Sequence, residues 1–302
     1  MNGPFFSVVI PTYNRRDYIV ETLESVFGQT YENYEVIVVD NCSTDDTEEV
    51  LKPYIEEGKI VFIKHEKNLE RAHSRNTGME HAKGDLLTLL DSDDLLYPEA
   101  LKDAAGFAEA NPGARLFHNL YELINNERKL IYKYPFPPLD DRLKAITSGN
   151  FLSCIGVFMH KDLYSTYRFD TSPELTGGED WEFWLRVVGD NKLERIEKVN
   201  AGMRHHEGRS IKNQNLESLE KGLHYLTEKY RKNPHLSDVY KGYHRYIERS
   251  SWMYMSSLSL SGGLFPEAKR YLKMAFAADR TVIFTTRFLR ILRRIIFRLP
   301  IK

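Results

Sequence analysis

Asp91-Ser92-Asp93-Asp94 packs three carboxylates into four residues, directly after the apolar run Asp85–Leu90 (DLLTLL). Carboxylates at i and i+2 beyond a buried strand can both reach one hard cation. Mg²⁺ and Mn²⁺ prefer oxygen ligands and fill their remaining positions with water and phosphate. A metal held by Asp91 and Asp93 would neutralise charge building on a diphosphate leaving group. The plain alternative is an acidic turn that caps a helix starting near Pro98. An EF-hand is disfavoured, because the glycine and the distal glutamate of that loop are missing.

Three other clusters carry chemistry. Asp40 ends the run Glu35–Asp40 (EVIVVD), where a carboxylate can accept hydrogen bonds from a base N–H or from ribose hydroxyls; helix capping is the simpler use. Gly177-Gly178-Glu179-Asp180-Trp181 joins a flexible pair of glycines to two acids at a helix start, where the dipole favours negative charge. A general base for an acceptor hydroxyl needs such a carboxylate on a movable, partly enclosed segment. Trp181 can stack on an acceptor sugar ring, and capping alone would also account for Glu179 and Asp180. In Arg204-His205-His206 the histidine pair can supply a metal ligand or a phosphate contact, although a lone histidine is more often an ordinary surface residue. The chain contains no GxSxG elbow, no P-loop and no GxGxxG, which removes support for serine catalysis, P-loop phosphoryl transfer and a standard NAD site.

These residues need elements to hold them. Ser7–Pro11, Glu35–Asp40, Ile60–Lys64 and Asp85–Leu90 read as buried strands. Asp17–Gln29, Thr44–Tyr54 and Arg71–Ala82 between them have helical spacing. Strands alternating with helices imply a parallel sheet with right-handed crossovers. Ligands of such sheets gather beyond the carboxyl ends of the strands. Thr12-Tyr13-Asn14, Asp40-Asn41 and Asp91–Asp94 should therefore converge on one crevice.

The remainder is less periodic. Arg115–Glu122 and Leu152–His160 suit strands, and Glu179–Val188 has helical spacing at Trp181, Trp184 and Leu185. From about Asn213 the pattern is helical, with one tetratricopeptide-like hairpin around Gly262-Gly263. We expect a catalytic domain over 1–212, with a nucleotide-binding half (1–97) and an acceptor-binding half (98–212). A helical region (213–280) and a basic amphipathic helix (281–302) follow. Wound as a helix, the last segment sets Phe284, Phe288, Ile291, Leu292, Ile295 and Leu299 on one face and arginines on the other, with no acid. That pattern suits peripheral contact with an anionic membrane surface; packing on its own domain is the alternative.

The 302 residues carry 42 basic and 43 acidic side chains, a balance that argues against a protein built to coat nucleic acid. With 42% hydrophobic residues the chain can bury a large core. Two cysteines in separate segments, Cys42 and Cys154, suit a reducing cytosol rather than a disulfide framework or a zinc site. Met1–Phe6 lacks a signal-peptide pattern, and no run of about twenty apolar residues exists to span a membrane.

Taken in order, these pieces resemble the family 2 glycosyltransferases. SVVIPTYNR (Ser7–Arg15) is similar to the opening strand and base-contacting loop of that family, and VIVVDNCSTDDT (Val36–Thr47) to its second strand. NLERAHSRNTGMEHAKGD (Asn68–Asp85) is similar to its loop and helix, with Glu70 where the family has glycine. LLTLLDSDD (Leu86–Asp94) resembles its metal-binding DxD stretch, RFDTSPELTGGEDWEFWLRV (Arg168–Val187) its base-bearing segment, and RHHEGRSI (Arg204–Ile211) its closing loop. The resemblance implies an α/β fold of the GT-A type: Rossmann-like, with a mostly parallel sheet flanked by helices, here followed by a C-terminal α-helical extension. It implies donor contacts at Pro11, Thr12, Tyr13, Asn14, Asp40, Arg71, Arg75, Asp91 and Ser92. It also implies a divalent metal (Mn²⁺ or Mg²⁺) on Asp91, Asp93 and His206, with His205 a rival, and a general base at Asp180 beside Glu179. Direct displacement from a nucleotide-sugar, UDP being the commonest in the family, onto a saccharide or lipid-linked acceptor would invert the anomeric carbon. Acceptor choice would fall to Lys129–Gly149 and the helical region. The competing readings are a non-catalytic scaffold on the same fold and a nucleotidyltransferase.

Overall fold

The structure is a computed structural model and describes residues 3–175, 177–206 and 215–299. The chain divides into two compact units. One comprises Met1–Leu139, Leu152–Thr171 and Asn191–Arg209. The other comprises Asp140–Phe151, Ser172–Asp190 and Ser210–Lys302.

The first unit is built on a sheet whose strand order is β3-β2-β1-β4-β8-β6-β9-β5, with β7 paired to β6. Its strands are β1 (Phe6–Thr12), β2 (Tyr34–Asp40), β3 (Val61–Lys64), β4 (Leu86–Leu90), β5 (Leu95–Leu96), β6 (Leu116–Ile124), β7 (Leu130–Lys133), β8 (Ile155–His160) and β9 (Glu194–Arg204). β1, β2, β3 and β4 pair in parallel, as their alternation with α1 (Ile19–Phe27), α2 (Thr47–Glu56) and α3 (Glu70–His81) requires. β8 then runs antiparallel to both β4 and β6, while β9 lies parallel to β6 and antiparallel to β5. The sheet is therefore mixed: its first half is wholly parallel, and in its second half β6 and β9 are the parallel pair. In the first half helices carry the chain from one parallel strand to the next, and in the second the connection from β6 to β7 is short enough to be a hairpin.

The parallel register decides where chemistry can sit. Thr12 lies opposite Asp40, and Val9 opposite Leu89, so the polar residues that follow each strand emerge at nearly one level. β1 is buried at every position, which explains why its apolar run does not alternate. α3 packs close against it: a Cβ on Gly78 would stand 2.2 Å from Val9 Cγ1. Further helices, α4 (Ala100–Ala110) and α6 (Lys161–Thr166), complete this unit.

The second unit contains α5 (Arg142–Thr147), α7 (Glu179–Asp190), α8 (Leu216–Lys232), α9 (Pro234–Val239), α10 (His244–Ser261), α11 (Phe265–Ala278) and α12 (Thr286–Ile296). The expected boundary at 212 is thus displaced: residues 140–151 and 172–190, expected within the catalytic domain, group with the C-terminal helices. Within this unit a buried ion cluster ties α7 to α8. Glu182 on α7 is fully buried and accepts Arg186 Nε and Lys229 Nζ, each at 2.7 Å, while Tyr230 Oη donates to its carbonyl. A carboxylate buried in this way persists only when its charge is met by such partners.

The C-terminal segment also departs from expectation. A 3₁₀ turn over Arg280–Phe284 comes first. Thr285 then accepts the Phe288 N–H and starts α12. Phe288 and Ile291 are buried in the helical core with Leu219, Trp252 and Leu272, and Leu292 and Ile295 pack against it. Most of the face read as membrane-facing is therefore covered by the protein itself, while Phe284 is 82% exposed.

Candidate active site

β4 delivers Asp91, Ser92, Asp93 and Asp94 at its carboxyl end, and a turn closed by Asp94 N–H on Asp91 O gives the carboxylates different fates. Asp94 is 1% exposed, and its Oδ1 accepts the Arg204 N–H at 2.8 Å. It ties the end of β9 to the turn. Asp91 and Asp93 keep more access, with side chains 27% and 13% exposed. Each faces a cation: Arg75 Nη2 donates to Asp91 Oδ1 at 2.9 Å, and Arg15 Nε donates to Asp93 Oδ2 at 3.2 Å.

His206 completes the cluster. The pairing of β9 with β6 continues through the His205 N–H, which donates to Ile124 O. This turns His205 to solvent and His206 inward. His206 is 4% exposed, with Nε2 3.0 Å from Asp93 Oδ2 and its ring 4.4 Å from that of Tyr18. Arg204 lies over the same Tyr18 ring, its guanidinium 5.3 Å from the ring centre, and bonds Glu21 at 2.8 Å. Of the histidine pair, the structure brings His206 to the acidic cluster and leaves His205 outside.

The residues expected to contact the nucleotide fall where the register puts them. Pro11 and Thr12 are buried at the end of β1, Tyr13 is 40% exposed, and Asn14 turns with φ 51°. Asn14 Oδ1 accepts the Thr44 N–H, and its own N–H donates to Ser43 Oγ. Asp40 is fully buried and accepts both the N–H and the hydroxyl of Ser43. The β1 and β2 loops are thereby fastened to one another. Arg71 is half-buried in the first turn of α3. Glu70, in the family's glycine place, has φ 67°, the left-handed conformation that glycine adopts without cost.

In the helical unit, Glu179 and Asp180 separate in role. Glu179, expected as a catalytic residue beside Asp180, is 3% exposed, and its Oε2 accepts the Gly177 N–H at 2.8 Å in a capping contact. Asp180 is half-buried, with Oδ2 accepting Asn150 Nδ2 at 2.9 Å and Oδ1 its neighbour's N–H. Trp181 is 8% exposed, with its indole N–H given to Ile146 O. Arg15, Tyr18 and Asn150 were missed in the sequence. Arg15 alone carries a signal there, as the cation that follows the Thr-Tyr-Asn loop.

Asp91, Asp93 and His206 offer two carboxylates and an imidazole, a donor set suited to Mn²⁺ or Mg²⁺. Among the described residues, no three acidic, histidine or cysteine side chains stand together in a metal-holding arrangement. Among the described residues, His206 Nδ1 is buried with no hydrogen-bond partner, so this ring carries an unspent polar atom beside the acidic pair.

Residues 7–164 match the family model described as Glycosyl transferase family 2. The chain is 30% identical over 230 residues to an uncharacterized glycosyltransferase of Methanocaldococcus jannaschii, covering 72% of this chain and 78% of that protein. It is 28% identical over 197 residues to the Escherichia coli UDP-Glc:alpha-D-GlcNAc-diphosphoundecaprenol beta-1,3-glucosyltransferase WfgD, covering 65% and 74%. Against three longer glycosyltransferases from Rickettsia species it spans only 28 to 33% of their length. The fold matches Staphylococcus aureus TarS 1-349 in complex with UDP-GlcNAc, with a TM-score of 0.69 at 20% identity over 97% of this chain and 88% of that one. It also matches the mannosyltransferase PcManGT of Pyrobaculum calidifontis in complex with GDP-Man and Mn²⁺, with a TM-score of 0.63 at 16% identity over 98% and 88%.

Proposed function

Because the chain belongs to glycosyl transferase family 2, we propose that it moves a sugar from a nucleoside-diphosphate donor, UDP-linked, onto an acceptor hydroxyl with inversion. The observation that carries this reading is the pair Asp91 and Asp93 at the end of β4, each beside an arginine and joined by buried His206. Such a cluster suits a ligand that brings both a cation and a diphosphate. Arg75 and Arg15 can turn from carboxylate to phosphate oxygens, and bidentate guanidinium geometry fits either. Thr12, Asn14 and Asp40 line the strand ends where a nucleoside would sit, with Pro11, Tyr13, Arg71 and Ser92 around them.

In this reading Asp180 takes the proton of the acceptor hydroxyl. The acceptor oxygen bonds to the anomeric carbon as the carbon–oxygen bond to the diphosphate breaks, and the nucleoside diphosphate leaves with that electron pair. Asn150 holds the Asp180 carboxylate in orientation through its amide. Bound at Asp91, Asp93 and His206, Mn²⁺ or Mg²⁺ would supply charge neutralisation to the leaving diphosphate. The activity for which WfgD is named, on a diphosphoundecaprenol-linked sugar, supports a saccharide or lipid-linked acceptor in cell-surface polysaccharide or glycolipid assembly. The two cysteines, Cys42 and Cys154, are not joined in a disulfide, which favours the cytoplasmic face of a membrane for the reaction.

The test is a thermal-shift panel of UDP, GDP, dTDP and CMP with and without Mn²⁺, followed by donor turnover. A ligand at a hundredfold excess over its Kd adds about 2.7 kcal/mol of stability. A shift with UDP that needs both the metal and Asp93, together with release of UDP from a UDP-sugar, supports the reading. Stabilisation by none of the four nucleotides overturns it.

A further inference from the structure

α12 keeps a second set of large apolar side chains in solvent after its inner seam is buried. Leu289, Ile296 and Phe297 are 53%, 63% and 66% exposed, and Phe284 in the preceding turn is 82% exposed. At 100° per residue Leu289 and Ile296 are two turns apart in one row, with exposed Arg293 between them; Arg290 and Phe297 form the neighbouring row. The outward side of this helix is therefore a ridge in which arginines and bulky apolar groups alternate.

We infer that this ridge, with Phe284 beside it, seats the protein on an anionic lipid surface. Charge complementarity selects the occupant. From Arg280 to Lys302 the chain has six arginines and no acidic residue, and Arg290 and Arg293 of the ridge are exposed. A second copy of the chain would set like charges against each other. A nucleic acid would satisfy the arginines and leave Phe284, Ile296 and Phe297 with no apolar partner. An anionic bilayer serves both, with headgroup phosphates for the guanidinium groups and the acyl boundary for the rings and aliphatic chains. The exposed ridge takes this part, and the seam Phe288-Ile291-Leu292-Ile295 cannot, because it is spent on the helical core. No described helix is long and apolar enough to cross a membrane, so the contact is one of lying on the surface.

Vesicle flotation of the full chain tests this and reads binding whether or not sugar is transferred. The full chain should float with phosphatidylcholine vesicles that contain phosphatidylglycerol, stay behind with phosphatidylcholine alone, and lose its binding as salt rises. Arg290→Gln with Arg293→Gln should weaken partitioning on the order of thirtyfold, from about 1 kcal/mol per arginine. Phe284→Ser with Phe297→Ser should also release the protein while leaving its Tm and its donor turnover in solution unchanged. Both pairs are solvent-exposed, so failure to fold does not confound the result. Equal flotation of both variants and the parent overturns the inference. So does binding to an oligonucleotide with none to anionic vesicles.

Discussion

His206 Nε2 and Arg15 Nε meet on the same carboxylate oxygen, Asp93 Oδ2, at 3.0 and 3.2 Å. One oxygen thus holds the end of β9 to the loop after β1, and any cation that takes Asp93 must replace these donors. Replacing Arg15 with Met should act in opposite directions on two ligands. Mn²⁺ alone should bind more tightly, by up to about tenfold, because a charged hydrogen bond of about 1.5 kcal/mol no longer competes for Asp93. UDP should bind more weakly, because a phosphate partner is gone. Free-manganese resonance and calorimetry would measure the two, and weakening of both would show that Arg15 only orders the loop.

Asp180 and Asn150 separate chemistry from orientation. Asp180→Asn should lower the transfer rate by on the order of 10²–10⁴, the usual worth of a general base, with UDP affinity unchanged. Asn150→Ala removes the donor to Asp180 Oδ2 and should lower kcat by about tenfold with KM for the donor intact. Steady-state kinetics with full activity in Asp180→Asn would remove Asp180 from the mechanism.

How much of this was legible depends on what sets each feature. β1, β2 and β4 are covered on both faces, so their unbroken apolar runs and the polar residues after them could be read directly. Parallel pairing then put Thr12, Asp40 and Asp91 at one level. β7 and β9 left no such trace: Leu130–Lys133 is exposed throughout and Glu194–Arg204 mixes charge with apolar residues. Their strand state comes from pairing with β6, which a single sequence does not display. The inner seam of α12 was misread for another reason. An apolar face has the same spacing whether a sugar, a lipid or the protein's own core covers it.

Gly78 marks the closest approach of α3 to the sheet, and α3 carries Arg75 one turn earlier. In Gly78→Ala the new Cβ would stand 2.2 Å from Val9 Cγ1. Overpacking of this kind costs about 1–3 kcal/mol, or a Tm lower by roughly 2–10 °C at this size. Moving α3 outward also moves Arg75 from Asp91, so UDP binding should weaken in the same variant. Adding Val9→Ala should recover part of both losses. Calorimetry and nucleotide titration of the double variant would decide, and an unchanged Tm in Gly78→Ala would disprove the contact.

His118 sets a pH dependence of stability apart from the reaction. It is buried on β6, donates from Nδ1 to Asn119 O and accepts Arg195 Nε at Nε2. Burial pushes its pKa down to about 3 from 6.5, and Arg195 acts in the same direction. The neutral ring is the folded form, so the unfolded chain binds the extra proton as pH falls below about 6.5. Stability from this group is complete above that value and declines steadily towards pH 3. The carboxylates of Asp103 and Asp279, both held low by their hydrogen-bonded partners despite opposing burial, add losses only below about 3.8. Between pH 6.5 and 4 the decline should therefore come from His118 together with His65, whose pKa burial also lowers. His118→Gln should flatten the curve there and leave the steeper fall below pH 4. Urea midpoints across this range would show it, and an unaltered slope in the variant would assign the acid sensitivity elsewhere.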